Sequence, residues 1–248
     1  MTTAELRGVT VRIDTGRWSE TVLRGMDLTV APGRILALLG ESGCGKSIAA
    51  AALTGTLPEP ARLTGEVPVG GVPVRDRRDR LRLRNGTIGL VPQEGVTAFD
   101  PSRTVGAQLR DLERLHGHWS VARACEAAHY PAELLGLYPK EHSGGQIQRA
   151  ALAAALLPGP GVLVADEPAA SLDTATAYGV WTTLRRYADS GAAVLVITHD
   201  VHMLTATRVA DRLALMRDGR IAVTGDLDEL TSMTDPYVHA FLHQRTYY

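Results

Sequence analysis

The chain has 248 residues and a mass of 26.5 kDa, of which 45% are apolar and 21% charged. That length suits one large domain or two small ones and can bury a substantial core. The 26 basic side chains nearly balance the 27 acidic ones, so we expect no nucleic-acid partner held mainly through phosphates. The two cysteines, Cys44 and Cys125, are too few for a disulfide framework and favour a reducing compartment.

Membrane and secretion signals are not evident in the sequence. The longest apolar run, residues 150–157, is far shorter than the roughly 20 residues of a membrane helix. The N-terminal residues lack the apolar stretch of a secretory signal. We therefore expect a soluble, cytoplasmic polypeptide whose membrane role, if it has one, requires partner chains.

The first half of the chain predicts strands and then a helical block. Residues 5–13 and 21–30 alternate apolar and polar side chains, which predicts an antiparallel strand pair. Elements expected next are a buried strand at 34–39, an alanine-rich helix at 48–53, a hairpin at 67–74 and a strand at 88–91. Helical periodicity covers about 102–138, and four apolar positions there should form a subdomain core: Val105, Leu109, Leu112 and Leu115.

The second half of the chain predicts a regular alternation of strands and helices. Helices are expected at 147–157, 174–187 and 201–207, and strands at 162–165, 193–197, 212–216 and 220–223. Asp226 and Glu229 have capping-box spacing, which predicts a C-terminal helix. The alternation indicates an α/β domain into which the helical block is inserted.

Residues 40–47 read Gly-x-x-x-x-Gly-Lys-Ser between a predicted strand and a predicted helix, which is the Walker A phosphate-loop pattern in its proper context. Glycines let the backbone N–H groups point at phosphates, and the helix N-terminus adds a favourable dipole. Lys46 would reach the β- and γ-phosphates, and the Ser47 hydroxyl would bind Mg²⁺. Predicted ATP contacts in this segment are Gly40, Glu41, Ser42, Gly43, Cys44, Gly45, Lys46, Ser47 and Ile48.

A pair of carboxylates, Asp166 and Glu167, ends the apolar strand at 162–165. Side chains at the carboxyl end of such a strand lie in the usual ligand crevice of an α/β sheet. Asp166 would hold Mg²⁺, and Glu167 would polarise the attacking water. A strand that ends in Asp is a weak signal by itself, but its pairing with a phosphate loop is specific.

Further motifs follow in a fixed order along the chain. They are Gln93 after the strand at 88–91, Ser143-Gly-Gly-Gln146 before a helix, Ser171-Leu-Asp173 after Glu167, and His199 after the strand at 193–197. Together with the two phosphate-binding motifs they resemble the nucleotide-binding subunit of ABC transporters over nearly the whole chain. The fold this implies is a P-loop NTPase (RecA-like) α/β core with an antiparallel β subdomain and an inserted α-helical subdomain.

The same resemblance implies how the chain is divided and how it pairs. A single ABC ATPase domain would cover 1–248, with the core at 1–98 and 146–230, the helical subdomain at 99–145 and a helical tail at 231–248. Two such subunits would form a head-to-tail dimer around two ATP molecules. The signature residues of one subunit would cap the γ-phosphate held by the other, and these are Ser143, Gly144, Gly145 and Gln146.

Roles for the remaining motif residues follow from the resemblance as well. Asp173 would cross the dimer interface, and His199 would hold the γ-phosphate and Glu167 in register. Gln93 would contact Mg²⁺ or the attacking water and report nucleotide state to the helical subdomain. The implied catalytic set is thus Glu167, His199 and Gln93, and the implied Mg²⁺ ligands are Ser47, Gln93 and Asp166.

Three positions depart from the usual pattern of that family. Adenine commonly stacks on an aromatic residue in the first hairpin, where this chain has Ile13, with Trp18 as a nearby alternative. His142 stands where the signature commonly begins with leucine, and the segment after Gln93 lacks the usual proline. None of these positions touches a phosphate or the catalytic carboxylate, so hydrolysis is expected to be intact.

The amino-acid sequences of segments 93–101, 138–145 and 235–242 resemble those of the peptide/nickel importer ATPases. That resemblance implies a second ATPase subunit, identical or different, two transmembrane permease subunits and an extracytoplasmic substrate-binding protein. The chain would then lie at the cytoplasmic face of the cell membrane as a peripheral subunit. The alternatives are the ATPase subunit of an exporter and a soluble, non-transport ABC ATPase.

Overall fold

The computed structural model describes residues 2–74, 79, 86–170 and 172–242. Ser171, the first residue of the predicted interface motif, and the end of the predicted tail, residues 243–248, lie outside the described residues.

The N-terminal strands build the antiparallel β subdomain. Strand β1 (Ala4–Asp14) pairs antiparallel with β2 (Ser19–Val30), which confirms the predicted pair. Also antiparallel to β1 are β4 (Ala61–Glu66) and β5 (Pro68–Val69), and β5 pairs with β6 (Val72–Pro73) in the predicted hairpin. The sequence analysis did not predict β4, because its alternation covers only Ala61 to Thr64 and the strand then continues through Gly65 and Glu66.

The core is a twisted sheet with the strand order β11-β10-β3-β9-β8-β7. Its strands are β3 (Ile35–Gly40), β7 (Ile88–Val91), β8 (Val162–Asp166), β9 (Ala193–Ile197), β10 (Arg212–Arg217) and β11 (Arg220–Gly225). All neighbours run parallel except the β10–β11 hairpin. Because parallel strands end at the same edge, the loops after β3, β7, β8 and β9 meet there.

Helices cover both faces of this sheet. They are α1 (Lys46–Thr54), α2 (Val105–His116), α3 (Val121–Ala127), α4 (Gly144–Leu156), α5 (Thr174–Asp189), α6 (Val201–Thr207), α7 (Leu227–Ser232) and α8 (Pro236–Leu242). One apolar cluster joins α1 and the β subdomain to one face, and a second joins α4, α5 and the helical block to the other. The predicted P-loop α/β fold is confirmed.

The helical block differs from its prediction in two ways. It is not continuous, because Gly117 ends α2 in a left-handed conformation and short 3₁₀ turns follow α3. Val105 and Leu109 are fully buried and Leu112 packs on the core, but Leu115 is 76% exposed, so its core assignment was wrong. Each residue advances about 100° around a helix, so Leu115 lies roughly 90° away from the face that the other three share.

Candidate nucleotide site

The phosphate loop, residues 40–47, joins β3 to α1 and adopts a backbone that only glycines permit at three points. Gly40, Gly43 and Gly45 have φ of +154°, +81° and +107°. A Cβ on Gly40 would lie 2.4 Å from the carbonyl oxygen of Met216 on β10, so no side chain fits there. Gly45 is the N-cap of α1 and supplies no capping side chain, which leaves the first helical N–H groups available to an anion.

Lys46 is held across the loop. Its Nζ donates to the carbonyl oxygens of Gly40 at 2.8 Å and Glu41 at 2.9 Å. The ammonium therefore lies beside the concave side of the loop, and it brings a positive charge to the place where the glycine backbone curls. A polyphosphate bound there would meet both the ammonium and the N–H groups of the loop.

Asp166 ends β8 with its side chain turned into the same crevice. It is only 6% exposed, and burial raises the pKa of its carboxyl, as does the neighbouring Glu167. A hydrogen bond from Ser47 and the charge of Lys46 act in the opposite direction without cancelling the shift. The carboxylate and hydroxyl oxygens of Asp166 and Ser47 are the hard ligands that Mg²⁺ prefers, so this pair fits that ion.

Glu167 is the most constrained carboxylate of the crevice. Its backbone is left-handed (φ +50°) and its N–H donates to the Ile197 carbonyl at 2.9 Å. One carboxylate oxygen lies 2.6 Å from His199 Nδ1, and the other accepts from the Thr198 hydroxyl at 3.3 Å. The residue is 9% exposed while the His199 side chain is largely exposed, so this pair joins a buried acid to the open mouth of the crevice.

Gln93 follows β7 and lies exposed at the rim of the crevice. The segment after it is tied to α4, because the buried Gln148 side chain donates to the Pro92 carbonyl at 2.9 Å. Gly95 packs so closely on Gln148 that an added Cβ would lie 2.8 Å from its Cα. Gln148, in α4, therefore connects that helix to the loop after β7 that contains Gln93 (the Gln93 loop, residues 92–101). No local motif predicts this role.

Most of the predicted residues surround one cavity of about 360 Å³. Its lining is Val22, Gly40, Ser42, Gly43, Gly45, Lys46, Ser47, Ile48, Gln93, Asp166, Glu167, Ile197 and His199. Glu41 and Cys44 instead line a neighbouring cavity of about 250 Å³ between the loop, the β10–β11 turn and Tyr237. Val22, Ile197 and Thr198 were missed, because only the folded sheet brings Val22 to the phosphate loop and brings Ile197 and Thr198 into contact with Glu167.

The signature residues and Asp173 stand apart from this cavity. Ser143 caps α4, since its hydroxyl accepts from Gln146 N–H at 3.3 Å while the Gln146 amide oxygen accepts from Ser143 N–H at 2.8 Å. Asp173 caps α5, and hydrogen bonds from the Thr176 hydroxyl and N–H lower the pKa of its carboxyl. Neither group lines the phosphate cavity of its own chain.

The two alternatives for adenine stacking lie in the β1–β2 hairpin. Ile13 is half-buried near the end of β1, and Trp18 is 52% exposed just before β2. Neither lines the phosphate cavity. Within the described residues, no three His, Cys, Asp or Glu side chains gather as a metal cluster.

A glycine-rich loop between β3 and a helix, with carboxylates at the end of β8 two places away in the same sheet, defines a P-loop nucleoside triphosphatase fold. The family model described as "ABC transporter" matches residues 23–170. The chain belongs to the ABC transporter family, as its motifs indicated.

Curated relatives carry the names of ATP-binding proteins of transport and import systems. A Metal-staphylopine import system ATP-binding protein of Staphylococcus aureus is 33% identical over 226 residues, which cover 85% of this chain and 82% of that protein. An Oligopeptide transport ATP-binding protein of Mycobacterium tuberculosis is 35% identical over 225 residues, covering 85% of this chain. The match spans only 36% of that second relative's length.

Solved structures match the fold closely at lower identity. An ATP-binding cassette solved as a dimer in a post-hydrolysis state with ADP and Pi has a TM-score of 0.80 at 24% identity, covering 90% of this chain and 98% of that one. A bacterial Atm1-family ABC exporter with ATP bound also reaches 0.80 at 23% identity, covering 99% of this chain and 42% of that one. In the described residues, no helix is long and apolar enough to cross a membrane.

Proposed function

We propose that the chain binds and hydrolyses ATP to power an ABC importer. The observation that carries this proposal is the Glu167 carboxylate, which is fixed between His199 and Thr198 at the edge of the phosphate cavity. A carboxylate oriented by two hydrogen-bonding groups can hold and polarise one water molecule next to a bound γ-phosphate. Proximity of this kind is the main catalytic contribution in phosphoryl transfer, together with charge stabilisation.

Each neighbouring group then has a separate task. Lys46 and the N–H groups of the loop neutralise the phosphate oxygens, and Mg²⁺, where bound to Ser47 and Asp166, supplies further positive charge. His199 orients Glu167 and, from the exposed mouth, reaches the γ-phosphate. Gln93 stands at the rim, where its amide would touch the ion or the water.

A second ATPase subunit completes the site in this proposal. Ser143 and Gly144 are exposed at the N-terminus of α4 and leave the cavity of their own chain uncovered. Small residues at a helix N-terminus can approach a polyanion closely, so they suit the phosphate bound by a partner chain. Asp173, exposed at the start of α5, would lie at the same interface.

Import is favoured over export by the relatives, whose names describe oligopeptide transport and metal-staphylopine import. We propose a peptide or metal-chelate substrate, two permease subunits and an extracytoplasmic binding protein, with this chain peripheral at the cytoplasmic face of the membrane. Permeases would dock between the Gln93 loop and the helical block, where Val96 and Tyr138 are exposed. An apolar side chain at each border suits the apolar face of a short cytoplasmic helix.

The test is ATPase activity of the reconstituted transporter with and without its substrate-loaded binding protein. Gln93→Ala should leave ATP affinity nearly intact but remove most of the stimulation by the binding protein, because Gln93 contacts the ion or water only when ATP is present. Glu66→Ala is the control, since this exposed residue of β4 lies outside both the cavity and the proposed docking surface and should retain full stimulation.

Two results would count against this account. Full stimulation in Gln93→Ala would remove Gln93 from the coupling route. Substrate moved outward in vesicles, with no response to a binding protein, would identify an exporter instead.

A further inference from the structure

The turn that leads into α4 is anchored by a buried tyrosine. Tyr130 is 3% exposed, and its hydroxyl lies 2.7 Å from Nε2 of His142. The other ring nitrogen of His142, Nδ1, lies 2.9 Å from the Tyr138 carbonyl oxygen. The rings of Tyr130 and His142 also stack, with centroids 5.8 Å apart and an angle of 28° between their planes. His142 thus has a partner on each nitrogen and a ring against its face.

These contacts define which atom donates. A carbonyl oxygen can only accept, so Nδ1 of His142 donates to Tyr138; in the tautomer whose only ring proton is on Nδ1, Nε2 accepts from the Tyr130 hydroxyl. Burial raises the pKa of Tyr130, so the hydroxyl keeps its proton and remains a donor. Hydrogen bonds are directional whereas apolar packing is not, so this arrangement fixes the orientation of the His142 ring.

The segment that carries Tyr130 is itself tied to both neighbouring helices. Thr183 of α5 donates to the Ala127 carbonyl at 2.6 Å. The His129 carbonyl accepts from Arg149 of α4 at 2.7 Å, while His129 adopts a left-handed backbone (φ +53°). A contiguous set of hydrogen bonds therefore runs from α5, which Asp173 caps, through residues 127–130 to His142.

We infer that Tyr130 and His142 act as positioning residues that set the direction in which the N-terminus of α4 presents Ser143 to the nucleotide of a second subunit. His142 immediately precedes Ser143, so a fixed imidazole ring restricts the backbone at the start of the helix. This inference rests on the proposed function, because the orientation of Ser143 matters for catalysis only if each ATP site is completed by a second subunit. Neither residue lines the phosphate cavity of its own chain.

The first test is amide hydrogen exchange in the full-length chain carrying Tyr130→Phe. The amides of Gln146 and Ile147 donate to Ser143 and report directly on the start of α4. Their exchange should accelerate about tenfold, the factor that corresponds to one net hydrogen bond. Exchange of Ala49 N–H in α1 should not change beyond the change in global stability.

Tyr187→Phe is the matched control. This buried hydroxyl also makes a single hydrogen bond, to the Pro160 carbonyl at 2.7 Å, but far from the start of α4. Both variants lose one buried, hydrogen-bonded hydroxyl. If the only effect were a loss of global stability, exchange at Gln146 would accelerate equally in both. Equal acceleration, or none in Tyr130→Phe, would overturn the inference.

The second test measures ATPase kinetics in the assembled transporter. Tyr130→Phe should lower kcat several-fold with little change in KM for ATP, because the phosphate loop is untouched, and Tyr187→Phe should change neither. His142→Gln, whose amide can still accept from the Tyr130 hydroxyl, should recover more activity than His142→Ala; equal kcat in the two would contradict the inference. The proposed function fails separately, if the wild-type chain neither binds nor hydrolyses ATP, since the exchange experiment needs no nucleotide.

Discussion

Opposite ends of the parallel sheet each hold a poorly exposed carboxylate, and the pKa values of the two are shifted in opposite directions. Asp211, just before β10, accepts from Arg34 at 2.6 Å, from Ile35 N–H at 2.7 Å and from Arg185 at 2.6 Å. Burial opposes ionisation, but these donors together lower the pKa of Asp211. Asp166, at the carboxyl end of β8, has the Ser47 hydroxyl and a more distant Lys46 charge, and burial raises its pKa.

The difference separates a carboxylate that supports the fold from one that we propose as an Mg²⁺ ligand. Asp211 joins β3, β10 and α5 with a complete set of donors, so its charge is satisfied within the chain. The Ser47 hydroxyl and the Lys46 charge offset only part of the desolvation cost of the Asp166 carboxylate. The buried charge of Asp166 therefore destabilises the fold, whereas the ionised Asp211 with its donors stabilises it.

Between these two carboxylates, the larger expected effect comes from replacing Asp166, which has fewer hydrogen-bond donors. Asp166→Asn should lower ATPase turnover at least about a hundredfold, because an amide is a poorer Mg²⁺ ligand. The same change should raise the unfolding temperature of the nucleotide-free chain, because it removes a buried charge. Calorimetry and ATPase assays on one preparation test both parts; a nucleotide-free variant less stable than wild type would contradict the comparison.

Lys46→Arg tests the geometry of the same edge. The Arg group is larger and planar and cannot donate to the Gly40 and Glu41 carbonyls from the same position, so ATP affinity should fall at least about tenfold although the charge is kept. Lys140→Arg is the matched control, because this exposed lysine in a 3₁₀ turn is the only other one in the sequence. Titration calorimetry with MgATP should find the control unchanged, and an unchanged affinity in Lys46→Arg would refute its phosphate role.

A smaller effect, on stability alone, is expected at the opposite edge. Asp211→Asn should reduce the free energy of unfolding by about 2 kcal/mol, because Arg34 and Arg185 lose their shared partner. Asp228→Asn provides the comparison, since its pair with Arg208 is exposed on both sides and contributes little. Urea unfolding that gives equal losses for both variants would show that Asp211 has no special role.

The two carboxylates should also differ in sign on acid titration. The lowered pKa of Asp211 gives a stabilisation that is present above its unfolded-state pKa of about 4 and is lost as the pH falls through the lower folded-state value. The raised pKa of Asp166 gives a destabilisation that is full above its folded-state pKa and disappears as the pH falls below the unfolded-state value. In acid, both Asn variants should therefore approach the unfolding free energy of wild type, Asp211→Asn from below and Asp166→Asn from above. Unfolding free energies measured across this pH range test this.

Local motifs made the chemistry of the site predictable from sequence. The phosphate loop, the Asp166–Glu167 pair and His199 each follow a strand end at a recognisable spacing, and the parallel sheet then brings them to one edge. Thr198, Gln148 and Val22 could not be found in this way. Their roles depend on contacts between segments distant in sequence, such as Gln148 with Pro92.

The same distinction explains the error in the helical block and the success at the sheet edge. Helical spacing placed Val105 and Leu109 correctly, but Leu115 was misplaced because it lies roughly 90° around α2 from their shared face and is exposed. Asp211 was not singled out at all, since a lone Asp before a strand carries no motif. Its importance comes from Arg34 and Arg185, which only the folded chain brings to it.

The central claim is that Glu167 activates the water that attacks ATP, and one paired measurement tests it most directly. MgATP binding and steady-state hydrolysis are measured for wild type and Glu167→Gln in the assembled transporter. We predict binding within about twofold and turnover reduced by roughly two to four orders of magnitude, because the amide retains the shape but cannot accept a proton. Near-normal turnover in Glu167→Gln would contradict the account.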